Sequence, residues 1–281
     1  MKKPAIFLLA ILLITILSFS VSAAAFDAAK GAAVIDAEMD EAYSAAPAIP
    51  IQIEANGNSN YATGEARILW DKEALYVYVA IKDKVLTSQK SDTDNVWYTD
   101  SVEFYIDLVH TGDDDITTIN AAQYTGGLVY AADKVWGGRG MHWDANKDKC
   151  TYAAKIIDGG WAFEAKIVWG SGYTPAEGNI VGFTIAINDD ADNTDGRENQ
   201  TFVSDGQSNA WSMTGSYDDL RLSSLEFIPI IEEVAAQSGE VEAAAVTSAP
   251  VVTVAAQTMD ATLLFSVIAI ISGAIIVKKK K

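Results

Sequence analysis

The chain has 281 residues, 49% hydrophobic and 21% charged, with 20 Lys and Arg against 38 Asp and Glu and a formal net charge of −18. That balance excludes a nucleic-acid partner, because neutralising phosphates needs a basic face. The one cysteine, Cys150, excludes an intrachain disulfide and zinc sites built on cysteine pairs, and two histidines, His110 and His142, leave little for a histidine triad or a multi-histidine metal site.

The N-terminus reads as a signal peptide over residues 1–25. Lys2 and Lys3 precede an almost uninterrupted apolar run from Ala5 to Leu17, and the small residues around Val21 to Ala25 supply the cleavage pattern. Period-two alternation then dominates residues 30–230, the expected domain. Ala66, Ile68 and Trp70 share one face of 65–70, and Leu75, Val77, Val79 and Ile81 share one face of 75–81. Val102, Phe104 and Ile106 alternate with Ser101, Glu103, Tyr105 and Asp107. Trp161, Phe163, Ala165, Ile167 and Trp169 alternate in 161–169, as do Phe183, Ile185 and Ile187 in 182–188. Asp158-Gly159-Gly160 and Asp195-Gly196 are turn signals. Only Asp36 to Tyr43 suggests a short helix. The fold class is therefore all-β, an antiparallel β-sandwich of jelly-roll type.

Residues 231–260 shift to Ala, Val, Ser, Thr and Glu without an aromatic, which reads as a linker. Residues 261–277 carry no charge and would span about 25 Å as a helix, the short end of a transmembrane segment. Lys278 to Lys281 would stay cytoplasmic. Gln257-Thr258-Met259-Asp260, the apolar span and the basic tail together resemble a Gram-positive cell-wall sorting signal, which implies either sortase anchoring or a simple membrane anchor. Six of the 20 basic residues lie in the two ends, so residues 26–260 carry 14 against 38 acidic and a net −24. A neutral or cationic ligand suits such a domain.

Seven tryptophans sort by context. Trp70, Trp161 and Trp169 sit on apolar strand faces and are expected in the core. Trp97 and Trp211 stand among polar loop residues, as half-buried packing or as ligand platforms. Trp136 and Trp143 lie in a Gly-rich segment and stay open between the two roles.

Ile35-Asp36-Ala37-Glu38-Met39-Asp40-Glu41-Ala42-Tyr43 and Trp97-Tyr98-Thr99-Asp100-Ser101-Val102-Glu103-Phe104-Tyr105-Ile106-Asp107 resemble signatures of family 9 carbohydrate-binding modules. Leu69-Trp70-Asp71, Glu164 to Trp169, Gly182 to Asp189, Asn209-Ala210-Trp211 and Leu220-Arg221-Leu222 continue the match in order. The resemblance implies a β-sandwich that grips the end of a polysaccharide between Trp97 and Trp211, with Glu103 as a binding glutamate, Arg197 as a binding arginine, and Ser208 and Asn209 beside Trp211. It also implies cellulose, xylan or related glucans as ligands. Two departures weaken it: Thr125 stands where an arginine can occur, and Ala186 where a glutamine can. Structural calcium is a further implication, with Asp83, Asp100, Asp189 and Asp190 as candidate ligands. No paired catalytic carboxylates stand out, so the expectation is a non-catalytic surface protein. The alternative is a structural envelope protein or adhesin that has lost sugar binding. Met141-His142 raises haem ligation, but adjacent residues cannot easily ligate one haem from opposite faces.

Overall fold

A computed structural model describes residues 25–55, 61–87, 96–110, 112–128, 136–192 and 196–229. Of the expected signal peptide, residues 1–24 lie outside the described residues and Ala25 opens the first strand; the expected linker, apolar span and lysine tail also lie outside them. Among the described residues, no helix is long and apolar enough to cross a membrane.

Thirteen strands run β1 (Ala25–Lys30), β2 (Ile49–Ile51), β3 (Ile53–Glu54), β4 (Thr63–Trp70), β5 (Ala74–Lys82), β6 (Ser101–Asp107), β7 (Ala121–Gly127), β8 (Trp136–Arg139), β9 (Thr151–Ile157), β10 (Gly160–Val168), β11 (Ile180–Asp189), β12 (Asn199–Phe202) and β13 (Asp218–Glu226). The one α-helix among the described residues, α1, spans Met141–Asn146. The hydrogen-bonded order is β8-β7-β6-β11-β13-β1-β4-β5-β10-β9. Two layers result. The layer of β6, β7 and β11 presses Val102, Phe104, Ile106, Tyr124, Ile185 and Ile187 into one core with Leu75, Val77, Val79, Phe163 and Ile167 of the other. Because side chains alternate along a strand, each layer keeps a second face.

The pairing is antiparallel except at one seam. β1 runs parallel to β13 over Ala25 to Lys30, then parallel to β4 at Ala29 and Lys30, with an irregularity between Ala28 and Lys30. It bridges the edges of the two layers, which neither partner can reach through a hairpin, so the expectation of purely antiparallel pairing is corrected there. β2 and β3 bridge them again, on β4 and β12.

The short helix expected over Asp36 to Tyr43 is not formed as such; a 3₁₀ turn occupies Glu41–Ala45. The reason is competition for the backbone. The amides of Asp36 and Ala37 donate to Glu164 Oε2 at 3.0 and 2.9 Å, and Ala37 takes φ 62°. Tyr43 donates to the other oxygen at 3.0 Å.

Trp70, Trp161 and Trp169 are buried as expected. The open cases, Trp136 and Trp143, also join the core, Trp136 stacking on Tyr152 at 4.8 Å between centroids. Glycine makes this packing feasible. A Cβ on Gly138 would lie 2.4 Å from the Trp143 ring, and one on Gly126 would lie 2.5 Å from Phe163. His142 is buried with Nδ1 2.7 Å from the Tyr124 hydroxyl and Nε2 3.1 Å from the Trp169 carbonyl. Both ring nitrogens are thus engaged inside the fold, away from the role of an axial ligand.

Candidate functional site

The outward face of the first layer is unusually polar for a sheet. Cross-strand register lines its side chains into rows. One row reads Arg139, Gln123, Tyr105 and Thr184 across β8, β7, β6 and β11. The next reads Gly137, Thr125, Glu103, Ala186 and Phe202. A third brings Ser101, Asn188 and Gln200 together.

Glu103 sits in the middle row. It faces away from the core yet is only 2% exposed, because its neighbours cover it. Tyr105 donates a short hydrogen bond to Oε2, and Gln200 Nε2 donates to the same oxygen at 2.7 Å. Arg197 approaches Oε1 at 3.5 Å and donates to Asn188 Oδ1 at 2.7 Å. Burial, then the Glu103 charge, pushes the Tyr105 hydroxyl well above the usual tyrosine range, which keeps it a donor. Asn188 completes the network by donating to Ser101 Oγ at 2.9 Å. Beneath it, Tyr105, Ala186, Phe202, Ala210 and Tyr217 form a small apolar floor.

Two indoles stand close to this face. Trp97 belongs to a short 3₁₀ turn, Val96–Tyr98, that leads into β6 at Ser101. The turn lies over the sheet, since a Cβ on Gly137 would meet Val96 at 3.2 Å. Trp211 lies beside the adjoining row, with the Arg139 guanidinium 5.2 Å from its ring centroid. Trp97 is 37% exposed and Trp211 50%, although both are large apolar side chains. The Trp97 turn therefore lies over the Glu103 row and Trp211 beside the adjoining Arg139 row. Exposed indoles beside hydrogen-bonding groups suit a ring with apolar faces and a polar rim.

The Trp211 loop is anchored by Gln207, which is buried. Its Oε1 accepts from Thr184 Oγ1 at 2.6 Å and its Nε2 donates to Asp218 Oδ2 at 2.7 Å. Tyr217 secures the loop again by donating to the Ala210 carbonyl at 2.9 Å.

The family model described as carbohydrate family 9 binding domain-like matches residues 35–225. The chain belongs to this family. It is 33% identical over 198 residues to endo-1,4-beta-xylanase A of Thermotoga maritima, a match covering 68% of this chain and 17% of the relative. It is 29% identical over 196 residues to the exoglucanase XynX of Acetivibrio thermocellus, covering 69% and 16%. The chain therefore spans a small part of these enzymes' length. Among solved structures, a family 9 carbohydrate-binding module from Caldicellulosiruptor kristjanssonii in complex with cellotriose aligns with TM-score 0.60 at 21% identity, over 77% of this chain and 100% of that one. A module from the same organism in complex with glucose aligns with TM-score 0.59 at 23% identity, over 72% of this chain and 96% of that one. These likenesses establish the shared fold.

On this family 9 sandwich, Trp97, Trp211, Glu103 and Arg197 come to one face. Ser208 and Asn209 lie beside Trp211 and are exposed; Asn209 uses its carbonyl to accept from Ser212 and Met213 within the loop. Sequence reasoning missed Tyr105, Gln123, Arg139, Asn188, Gln200 and Gln207. Gln200 is the informative omission. It enters from β12, opposite Asn188, and delivers an amide to Glu103. Only strand register reveals it.

The candidate calcium ligands divide. Asp83, Asp100 and Asp189 each place one oxygen within 4.8 Å of the others, whereas Asp190 groups with Asp192 and Glu198. Asp100 and Asp189 are almost wholly buried. Asp100 accepts from the amides of Thr87 and Asp190 at 2.6 and 3.1 Å, and Asp189 Oδ2 accepts from Ala62 at 2.6 Å. Asp83 Oδ2 and Asp189 Oδ1 are buried without a hydrogen-bond partner. Burial, then the neighbouring carboxylates, pushes Asp100 up to about 8; burial, opposed by the Ala62 bond and reinforced by Asp83, pushes Asp189 up to about 6. Three clustered acids, Asp100 and Asp189 buried and Asp83 and Asp189 each with an oxygen lacking a partner, form a donor set of the hard, anionic kind that divalent cations such as calcium take.

Proposed function

We propose that this chain is a non-catalytic carbohydrate-binding protein that holds the end of a β-glucan or xylan chain between Trp97 and Trp211. The observation that carries this reading is two exposed indoles, Trp97 in a turn over the Glu103 row and Trp211 against Arg139 of the next row, beside the buried Glu103 network. An apolar ring surface is costly to leave in water. The same face carries polar groups in the Glu103 row that can meet a sugar's hydroxyls. The cellotriose and glucose complexes of the Caldicellulosiruptor modules support this ligand class. The net −24 of residues 26–260 favours a neutral sugar over an anionic one.

Within the same reading, Asp83, Asp100 and Asp189 hold a calcium ion. Bound there, the ion neutralises the buried carboxylates and ties together the segments leading to Trp97 and Asn188. The signal-peptide pattern and the apolar, lysine-tailed end support display outside the cell, by a membrane helix or by sortase.

Calorimetric titration of cellobiose and xylobiose, with calcium present, tests the proposal. Wild-type protein binds at least one of them, and Trp97→Ala and Trp211→Ala each lose that binding. Undiminished binding by the double substitution would remove the site assignment.

A further inference from the structure

Arg139 ends β8 in the same cross-strand row as Gln123 and Tyr105, and its guanidinium lies over Trp211. It is partly buried; after the Thr117 hydrogen bonds, its charge helps hold the exposed Asp115 carboxyl below its usual range, yet its side chain makes no hydrogen bond or ion pair among the described residues. Its neighbours on this face are already occupied. Gln123 donates to Thr125 at 3.3 Å, Thr184 donates to Gln207, and Arg197 and Gln200 serve Glu103 and Asn188. Arg139 therefore presents five N–H donors beside an exposed indole. Donors held in a half-covered place without acceptors are unfavourable, and they are satisfied when an acceptor arrives. The indole fixes the guanidinium's place through a cation–π contact.

We propose that Arg139 is a ligand-contacting residue, donating to hydroxyl oxygens on the sugar ring that rests on Trp211. The proposal depends on the glycan-binding reading above. The ligand it selects is a neutral pyranose with vicinal hydroxyls on the edge that meets β8. Two adjacent equatorial oxygens suit the fork of one guanidinium. Thr125, in the adjoining row, is too short to offer a comparable donor, so Arg139 brings the charge from the neighbouring strand.

The test is calorimetry with cellobiose and its monodeoxy analogues on wild type, Arg139→Ala and Arg139→Lys, with melting curves to check folding. Arg139→Ala loses affinity roughly 10- to 100-fold. Arg139→Lys recovers part of that loss. In Arg139→Ala, the penalty for deleting one particular hydroxyl disappears, which identifies the oxygen contacted. Wild-type affinity in Arg139→Ala would overturn the proposal. So would a loss in which every deoxy penalty matches the wild type, since that pattern belongs to a residue that only positions Trp211. Wild-type protein that takes neither cellobiose nor xylobiose fails the glycan reading itself, and this proposal falls with it.

Discussion

Gln207→Leu separates the ligand platform from its support. The side chain is 1% exposed and never meets the proposed ligand. Four hydrogen bonds converge on it: from Thr184 Oγ1 at 2.6 Å and the Ser204 amide at 3.2 Å, and to Asp218 Oδ2 at 2.7 Å and the Ser216 carbonyl at 3.3 Å. Leucine matches its size and replaces none of them. At about 1 kcal/mol for each neutral bond and about 2 for the one to a carboxylate, the loss is about 5 kcal/mol, reduced to about 3 where the loop relaxes and water reaches the freed groups. Most of that cost falls on the segment that carries Trp211, so the loop opens before the sandwich does. Urea denaturation monitored by fluorescence reads the stability change, and calorimetry reads the affinity, which falls at least tenfold. A change below about 1 kcal/mol with unaltered affinity would refute the claim that Gln207 holds the platform.

The proposed calcium at Asp83, Asp100 and Asp189 is tested by chelation. Without calcium, a carboxyl whose folded pKa is raised contributes stability below its unfolded pKa of about 3.9, and loses it as pH rises through the folded value. With Asp100 near 8 and Asp189 near 6, chelated protein melts progressively lower from pH 5 to pH 8, and calcium abolishes the decline. Equal melting temperatures in chelator across that range would sink the assignment. Glu164→Ala strands the Asp36 and Ala37 amides and the Tyr43 hydroxyl, costing about 2–5 kcal/mol in urea denaturation; a neutral result would show that this segment docks by apolar contacts alone. Gly126→Ala drives a methyl to 2.5 Å from Phe163 and destabilises by about 1–3 kcal/mol, checked by the same measurement, with an unshifted midpoint contradicting the packing described.

Alternation found β4, β5, β6, β10 and β11 within two residues, because each lays one continuous apolar face on the core. It passed over β8, whose Trp-Gly-Gly-Arg has no alternation to see, and β12, whose four residues act through their neighbours. The parallel seam at β1 is invisible locally, since its partners lie some 40 and 190 positions away. For the site, the loop tryptophans were legible as apolar rings without an apolar strand. Glu103 was legible as a polar residue opposite Val102 and Phe104, but not its near-complete burial, which comes from Tyr105, Gln200 and Arg197. Arg139 and Gln200 carry no motif; their relevance lies in which strand each enters beside. Asp83, Asp100 and Asp189 are scattered along the chain and meet only because β5, β6 and β11 end at the same edge.

The seam has a mechanical consequence. β1 and β13 are the first and last described strands, and they lie side by side in the same direction. A pull applied through their outer ends drags one along the other, so the ladder is loaded in shear and its bonds share the force instead of parting one by one. Two extra fasteners cross it. Arg221 grips Asp27 through two contacts at 2.7 and 2.9 Å, and Ser223 Oγ donates to the Ala28 carbonyl at 2.8 Å. A sandwich closed this way resists tension between its ends far better than one whose terminal strands unzip.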